Sequence, residues 1–347
     1  MAPIFNMLIT LLLLAATVAS EATTSSNINE LAIAQTFKNW KEMYGHEYKD
    51  DVEQARRFEI FKDNLEFIQS FNKEGNHSYV MGLNDFSDLT FEEFISRYGG
   101  YKPSAKERIE ESVTTTTSFG DDENVDSCIP SRIDWRELGA VTHIKNQGGC
   151  GSCWAFSAVG ALEGIHQIKT GELVTLSEQE LVDCDFRSGG CRGGLMTLAF
   201  QYLVERKGIT SAENYPYVGY KEDGSCYIPL TRNITATIKA YKEVPPNKES
   251  ALMKAVVRQP VSVAIAANQY FMHYKSGIFD GPCETNLNHG IVTIGYNEDD
   301  KGNKYWIVKN SWGVSWGEKG FGRMMRDIDD QEQGLCGIAM KASYPIV

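Results

Sequence analysis

Gln147-Gly148-Gly149-Cys150-Gly151-Ser152-Cys153-Trp154 reads as a glycine-rich turn running straight into a helix. Behind it Ala158, Ala161, Leu162, Ile165 and Ile168 recur at helical spacing, and Thr170-Gly171 supplies the stop. Small residues over 155–161 let such a helix press closely on its neighbours. Cys153 stands in the first turn, where unpaired main-chain N–H groups and the helix dipole favour a thiolate. Taken alone, Cys150-x-x-Cys153 also admits a redox pair or half of a zinc site. A redox pair of the thioredoxin kind wants a βαβ setting, which the flanks do not show, and zinc wants a second ligand pair at short spacing.

Working outward towards the C-terminus, Ser177-x-x-Glu180 signals a capped second helix, and 195–207, closed by Gly208, reads as a third. The character then changes. Residues 260–265, 289–296 and 304–309 read as strands, the last two joined by the turn Asp299-Asp300-Lys301-Gly302-Asn303. Helices followed by strands give an α+β chain of two domains, with the cleft between them as the natural ligand site.

Towards the N-terminus, residues 8–18 form an apolar run too short to span a bilayer, followed by Ala19 and Ser20. This pattern predicts a cleaved signal peptide over 1–20 and an exported product without a membrane helix. Eight cysteines in an exported chain favour a disulfide framework. The net charge of −12 is uneven, because Lys and Arg number 23 against 24 Asp and Glu from residue 129 onward, and 11 against 22 before it. The front segment is therefore the acidic piece, which argues against nucleic acid as a partner and suggests a detachable, pH-sensitive element.

Within that front segment 28–72 reads as helical, with Glu53, Arg57, Phe61, Asn64, Ile68 and Asn72 on one face. Gly82-x-Asn84-x-Phe86-x-Asp88 follows, and 101–127 loses all periodicity, with Thr114 to Thr117 and Asp121-Asp122-Glu123 marking a cleavable linker. The stripe resembles the ERFNIN pattern in the inhibitory propeptides of papain-like cysteine proteases, of the cathepsin L-like subgroup, and 82–88 is similar to their second propeptide motif. Ile129-Pro130-Ser131-Arg132-Ile133-Asp134-Trp135 looks like the start of a mature enzyme of that family, and Cys150-Gly151-Ser152-Cys153-Trp154 resembles its nucleophile motif.

The resemblance implies a papain-like two-domain fold with a mainly helical inhibitory propeptide over 21–128. The mature peptidase would run over 129–347, with a helical domain over about 138–241 and an antiparallel, barrel-like β domain over about 242–340 plus 129–137. In the family the propeptide tail crosses the cleft against the direction of a substrate. Asn288-His289-Gly290 resembles the family's histidine motif and Asn310-Ser311-Trp312-Gly313 its asparagine segment. Adjacent strands can bring the Asn310 carbonyl to the His289 ring, while Trp312 screens the hydrogen bond from water.

The implied enzyme is a cysteine endopeptidase in which a Cys153 thiolate, paired with a His289 imidazolium, attacks the peptide carbonyl through a thioester intermediate. The Gln147 amide and the Cys153 N–H would meet the oxyanion. The disulfides implied are Cys150–Cys191, Cys184–Cys226 and Cys283–Cys336; Cys153 stays free and Cys128 leaves with the linker or remains as a ragged end. Gly193 and Gly194 would hold an extended substrate by its backbone, with Asn288 and Trp312 also at the substrate. Leu195, Met196, Ala264, Leu287, Gly290 and Lys341 would line the pocket for the side chain two residues before the cut. Its walls are mostly apolar, which implies a hydrophobic preference, and Lys341 either disfavours Arg there or reaches out to solvent.

Asn76-His77-Ser78 and Asn233-Ile234-Thr235 are glycosylation sequons. The remaining expectations are protein or peptide substrates, the chain's own propeptide and cystatin-type proteins as inhibitors, a monomer, no cofactor or metal, and a vacuole, lysosome or cell exterior as destination. Acid is expected to loosen the propeptide and permit cleavage near 127–129.

Overall fold

The structure is a computed structural model that describes residues 30–102, 129–220, 226, 227, 231, 233–328 and 332–347. The expected signal peptide, the linker from 103, Cys128 and the cleavage region to 128 lie outside the described residues. The described residues form two compact units, one of those up to 69 with 87–89 and one of 70–86 with those from 90 onward.

In the first unit residues 30–44 form helix α1, and α2 (Asp51–Glu74) begins after a break. The single helix expected over 28–72 is thus two. Gly45 takes a left-handed φ of +72°, which ends α1, and the Asp50 carboxylate accepts the Glu53 N–H at 2.8 Å, which starts α2. Phe37, Trp40 and Phe61 pack ring on ring, with Phe61 centroids 5.1 Å from each of the others. The polar stripe of α2 faces the turn at 87–89. Asn64 Nδ2 donates to the Ser87 and Leu89 carbonyls at 2.9 Å each, and Arg57, held by Glu53 at 2.7 Å, donates to the Asp88 carbonyl at 3.0 Å. A buried turn thereby has its backbone satisfied by side chains of one helix face.

The second unit is built on a strand path in the order β1 (Tyr79–Met81), β5 (Tyr274–Phe279), β8 (Phe321–Met325), β7 (Lys304–Lys309), β6 (His289–Glu298), β4 (Val261–Ile265), β9 (Ala342–Ile346), β3 (Ala240–Glu243), with β2 (Ile133–Asp134) on β6. Pairing is antiparallel except for β5 with β8, which run parallel, so the expected antiparallel sheet carries one exception. Helix α3 (Phe91–Tyr98) starts in a complete capping box between Thr90 and Glu93. Helix α4 (Cys153–Thr170) ends at Gly171 in the left-handed region, as its sequence signals.

Helix α4 lies against the sheet at closest range where it is smallest. A Cβ on Gly160 would stand 2.9 Å from Val292, and one on Gly164 would stand 2.5 Å from Pro260. The expected capping box at the start of α5 (Glu178–Cys184) is only half made: Ser177 accepts the Glu180 N–H at 3.0 Å, but the buried Glu180 carboxylate takes the Thr210 N–H at 2.9 Å instead. Helix α6 (Met196–Arg206) turns out of its axis at Lys207, φ 66°, one residue before the expected Gly208. The bridges Cys150–Cys191, Cys184–Cys226 and Cys283–Cys336 are formed, and Cys153 is a free thiol.

Candidate active site

Cys153 is the first residue of α4 and is fully buried. Strand β6 begins at His289 and pairs with β7 through the 299–303 turn, so the start of one strand and the end of the other reach the same edge. That antiparallel arithmetic places Asn310 next to His289: the ring Nε2 donates to Asn310 Oδ1 at 2.8 Å. The Gly290 N–H donates to Cys153 Sγ at 3.3 Å, which brings the head of β6 onto the sulfur. Trp312 stacks on the imidazole with centroids 4.2 Å apart and an interplanar angle of 25°, excluding water from the His289–Asn310 bond.

Gln147 is buried beside them. Its Oε1 accepts from Ser311 Oγ at 2.7 Å, and its Nε2 donates to the Cys150 carbonyl at 2.8 Å and the Tyr98 carbonyl at 3.0 Å. The Tyr217 hydroxyl donates to the Gln147 carbonyl at 2.7 Å. Ser311 therefore fixes the side-chain amide that sequence reasoning singled out and Tyr217 its main chain; Ser311 stands in the asparagine segment but was given no role there, and Tyr217 stands in no motif.

The cleft is filled by the chain itself. The Gly100 and Tyr101 N–H groups donate to the Asn288 carbonyl at 3.0 and 3.1 Å, Gly194 N–H donates to the Gly100 carbonyl at 2.9 Å, and Lys102 N–H donates to the Gly194 carbonyl at 3.2 Å. Tyr101 pairs with Gly194 as a parallel bridge. A Cβ on Gly100 would fall 2.1 Å from the Gly151 carbonyl oxygen and 3.1 Å from Cys153 Sγ, so the segment passes the thiol as bare backbone. Upstream, Phe94 meets Trp312 edge-on at 4.8 Å and Phe86 does so at 6.2 Å.

This cover sets the protonation of the site. Burial pushes the Cys153 thiol up to about 11, against the pull of the Gly290 and Gly100 N–H groups. Burial likewise holds His289 down to about 4, against Asn310 and the Tyr98 main chain. Both directions favour a neutral thiol beside a neutral ring.

The expected pocket residues Leu195, Met196 and Ala264 share one buried cluster with Tyr101, with Leu287 packed on its rim. Lys341 is exposed, while its carbonyl accepts the Ala264 N–H at 3.0 Å. Asn288 spends its amide on Ala267, accepting from the N–H and donating to the carbonyl at 2.9 Å each, so only its main chain faces the covering segment. Gly193, φ 113°, closes the turn to Gly189. Asn76 and Asn233 are exposed.

Known proteins resemble this chain in sequence and fold. Residues 129–346 match the family described as papain family cysteine protease, and 37–94 match the cathepsin propeptide inhibitor domain. The senescence-specific cysteine protease SAG39 of Oryza sativa subsp. japonica is 49% identical over 323 residues, 91% of each chain, and fruit bromelain of Ananas comosus is 45% identical over 96% of this chain and 92% of its own. Recombinant stem bromelain precursor superposes with a TM-score of 0.82 at 45% identity, covering 91% of this chain and 99% of that one. A chain joining a cysteine at a helix start, a histidine and an asparagine at a strand edge, and an inhibitory front domain thus belongs to the papain family of cysteine proteases.

Proposed function

We propose that this protease cleaves peptide bonds with Cys153 as nucleophile and His289 as its proton partner, and that the chain is a precursor silenced by residues 98–102 until the part up to about 128 is removed. The observation that carries the reading is the Tyr98 carbonyl on Gln147 Nε2 at 3.0 Å, where a substrate oxyanion would sit, with bare Gly100 over the sulfur.

Opening the cleft readmits water and removes the burial that keeps both groups neutral, so the Cys153 thiol passes its proton to His289 and the helix N-terminus and the Gly290 N–H hold the thiolate. The thiolate then adds to the carbonyl carbon. Gln147 Nε2 and the Cys153 N–H receive the oxyanion, and His289 protonates the amine as the C–N bond breaks; water then attacks the thioester, His289 takes its proton, and the C–S bond breaks to return the thiolate. Asn310 keeps Nε2 engaged, so that Nδ1 is the nitrogen that exchanges the proton.

Tyr101 within the Leu195, Met196 and Ala264 cluster supports a preference for an aromatic or large apolar side chain two residues before the cut. The exposed Lys341 supports the reading in which its ammonium reaches solvent and leaves that preference unaltered. The chain enters the secretory pathway and ends in a vacuole, a lysosome or outside the cell; the described residues hold no helix long and apolar enough to cross a membrane.

Hydrolysis of short fluorogenic peptides by the matured protein tests this. Cys153→Ala should be inactive, and Gln147→Ala should lower kcat about 10²- to 10³-fold with little change in KM. Activity retained by Cys153→Ala would remove the proposal.

A further inference from the structure

In the structure β1 is the end strand of the sheet path, and among the described residues its sheet partner is β5. Removal of the front segment strips β1 away. Strand β5 keeps β8 on its other side, through Ile278 with Arg323 and Phe279 with Met324, so it persists as a strand with one edge open. Open edges accept extended chains through their free N–H and carbonyl groups.

The seated segment shows what that edge selects. The Ile278 N–H donates to the Ser78 carbonyl at 2.9 Å, and the Gly82 N–H donates to the His273 carbonyl at 2.9 Å. Opposite Tyr79 stands Gly277, φ 101°, where a Cβ would lie 2.5 Å from the Ser78 carbonyl oxygen and 2.6 Å from Tyr79 Cα. No other residue lets a strand approach so closely. The Tyr79 ring packs on Phe279 with centroids 4.8 Å apart, and its hydroxyl donates to the Gly281 carbonyl at 2.8 Å. Met81 is buried, whereas Val80 between them is 44% exposed. The edge therefore reads an aromatic residue with a hydroxyl at the place of Tyr79, whereas Met81 is bonded through its N–H and carbonyl to Asn72 of the same front segment at 3.0 and 2.8 Å.

We propose that in the matured enzyme the β5 edge is a second binding site, apart from Cys153, which docks an extended segment of a protein substrate antiparallel to residues 274–279, with a hydroxyl-bearing aromatic residue opposite Gly277. This rests on the proposed loss of the front segment. Buried rings lead from this edge towards the cleft: Phe271 lies 5.2 Å from Phe279 and 5.9 Å from Trp312, ring to ring, and Trp312 stacks on His289. A substrate held at β5 is thus kept near the site of cutting, which raises its effective concentration there.

The test uses the matured enzyme and two unfolded reporter chains with the same cleavable site. One carries the sequence of residues 77–83, separated from the cut by a flexible stretch as long as 82–97; the other carries it with Tyr79→Ala. The first should show a KM lower by about tenfold at equal kcat. Gly277→Val should erase that difference and leave hydrolysis of a short peptide unchanged. In case that variant folds poorly, the free peptide 77–83 should compete with the first reporter on the unaltered enzyme, and should not compete with the short peptide.

Equal KM values, or competition against the short peptide, would overturn the second site. So would matured enzyme that still holds 70–86 on β5. Failure of the protease reading looks different: the short peptide itself would not be cut.

Discussion

At Gly100 a methyl group has nowhere to go. Its Cβ would meet the Gly151 carbonyl at 2.1 Å, and the neighbouring Gly99 is hemmed in by Ile95, whose carbonyl a Cβ would meet at 2.5 Å. Gly100→Ala should lift the segment off the thiol, at a cost in its binding of about 1–3 kcal/mol. The uncut precursor would then hydrolyse a short peptide at least about tenfold faster than the parent, read as an initial rate on protein shown by gel to be intact. A variant as silent as the parent would mean that the close passage at Gly100 does not hold the cover. Cys153, His289, Asn310 and Gln147 were legible because each sits in a short run with its own local meaning. The roles of Tyr217, and of Ser311 although it stands in the same run as Asn310, were not, since a hydroxyl acquires a role only when folding sets it 2.7 Å from a Gln147 atom.

Three elements meet behind the site around a buried ionic cluster. Lys145, two residues before Gln147, binds Glu163 of α4 at 2.7 Å and Glu178 of α5; Lys309, the last residue of β7, donates to Thr142 Oγ1 at 2.7 Å. The cluster ties the loop of Gln147 and the strand end of Asn310 to the helix that Cys153 opens. Burial pushes the Glu163 carboxyl up, but Lys145 and Lys309 bring it net below its ordinary value, so it stays charged. Lys145→Met would leave two carboxylates buried with one cation fewer, at about 3–5 kcal/mol. A thermal midpoint lower by about 6–20 °C is expected, and a loss under about 2 °C would show the cluster to be dispensable. Nothing in the sequence foretold this cluster, because its members are spread from 142 to 309 and look like ordinary surface charges. The elements themselves were readable where periodicity and caps agree, as for α4 and the β6–β7 hairpin. The break at 45–50 was missed although Gly45 and Asp50 signal it, since the apolar and charged stripe on either side was read through it.

Over the whole molecule the pH response divides between groups of opposite sign. Burial raises the Asp88 pKa, so proton uptake there favours the folded precursor as pH falls, against the expectation that acid loosens the propeptide through its carboxylates. The buried histidines act the other way. His273, whose carbonyl anchors Gly82, is held down to about 3 by burial, and His289 to about 4. A histidine with a depressed folded pKa contributes stability that is whole above about 6.5 and declines as pH falls towards the folded value. A Cys153→Ala precursor, unable to cut itself, should therefore lose stability to urea below pH 6.5. His273→Gln in the same background should flatten that loss by up to about 1.4 kcal/mol per pH unit. Identical slopes would exclude His273 as a source of acid sensitivity.

The central claim is that residues 98–102 cover a thiol that becomes reactive when they leave. Mass spectrometry after treatment with a thiol-directed epoxide tests it most directly, comparing intact precursor at neutral pH with matured protein. The structure predicts no adduct on the precursor and one equivalent on Cys153 after maturation; equal labelling of both forms, or an adduct at any other residue, would contradict it.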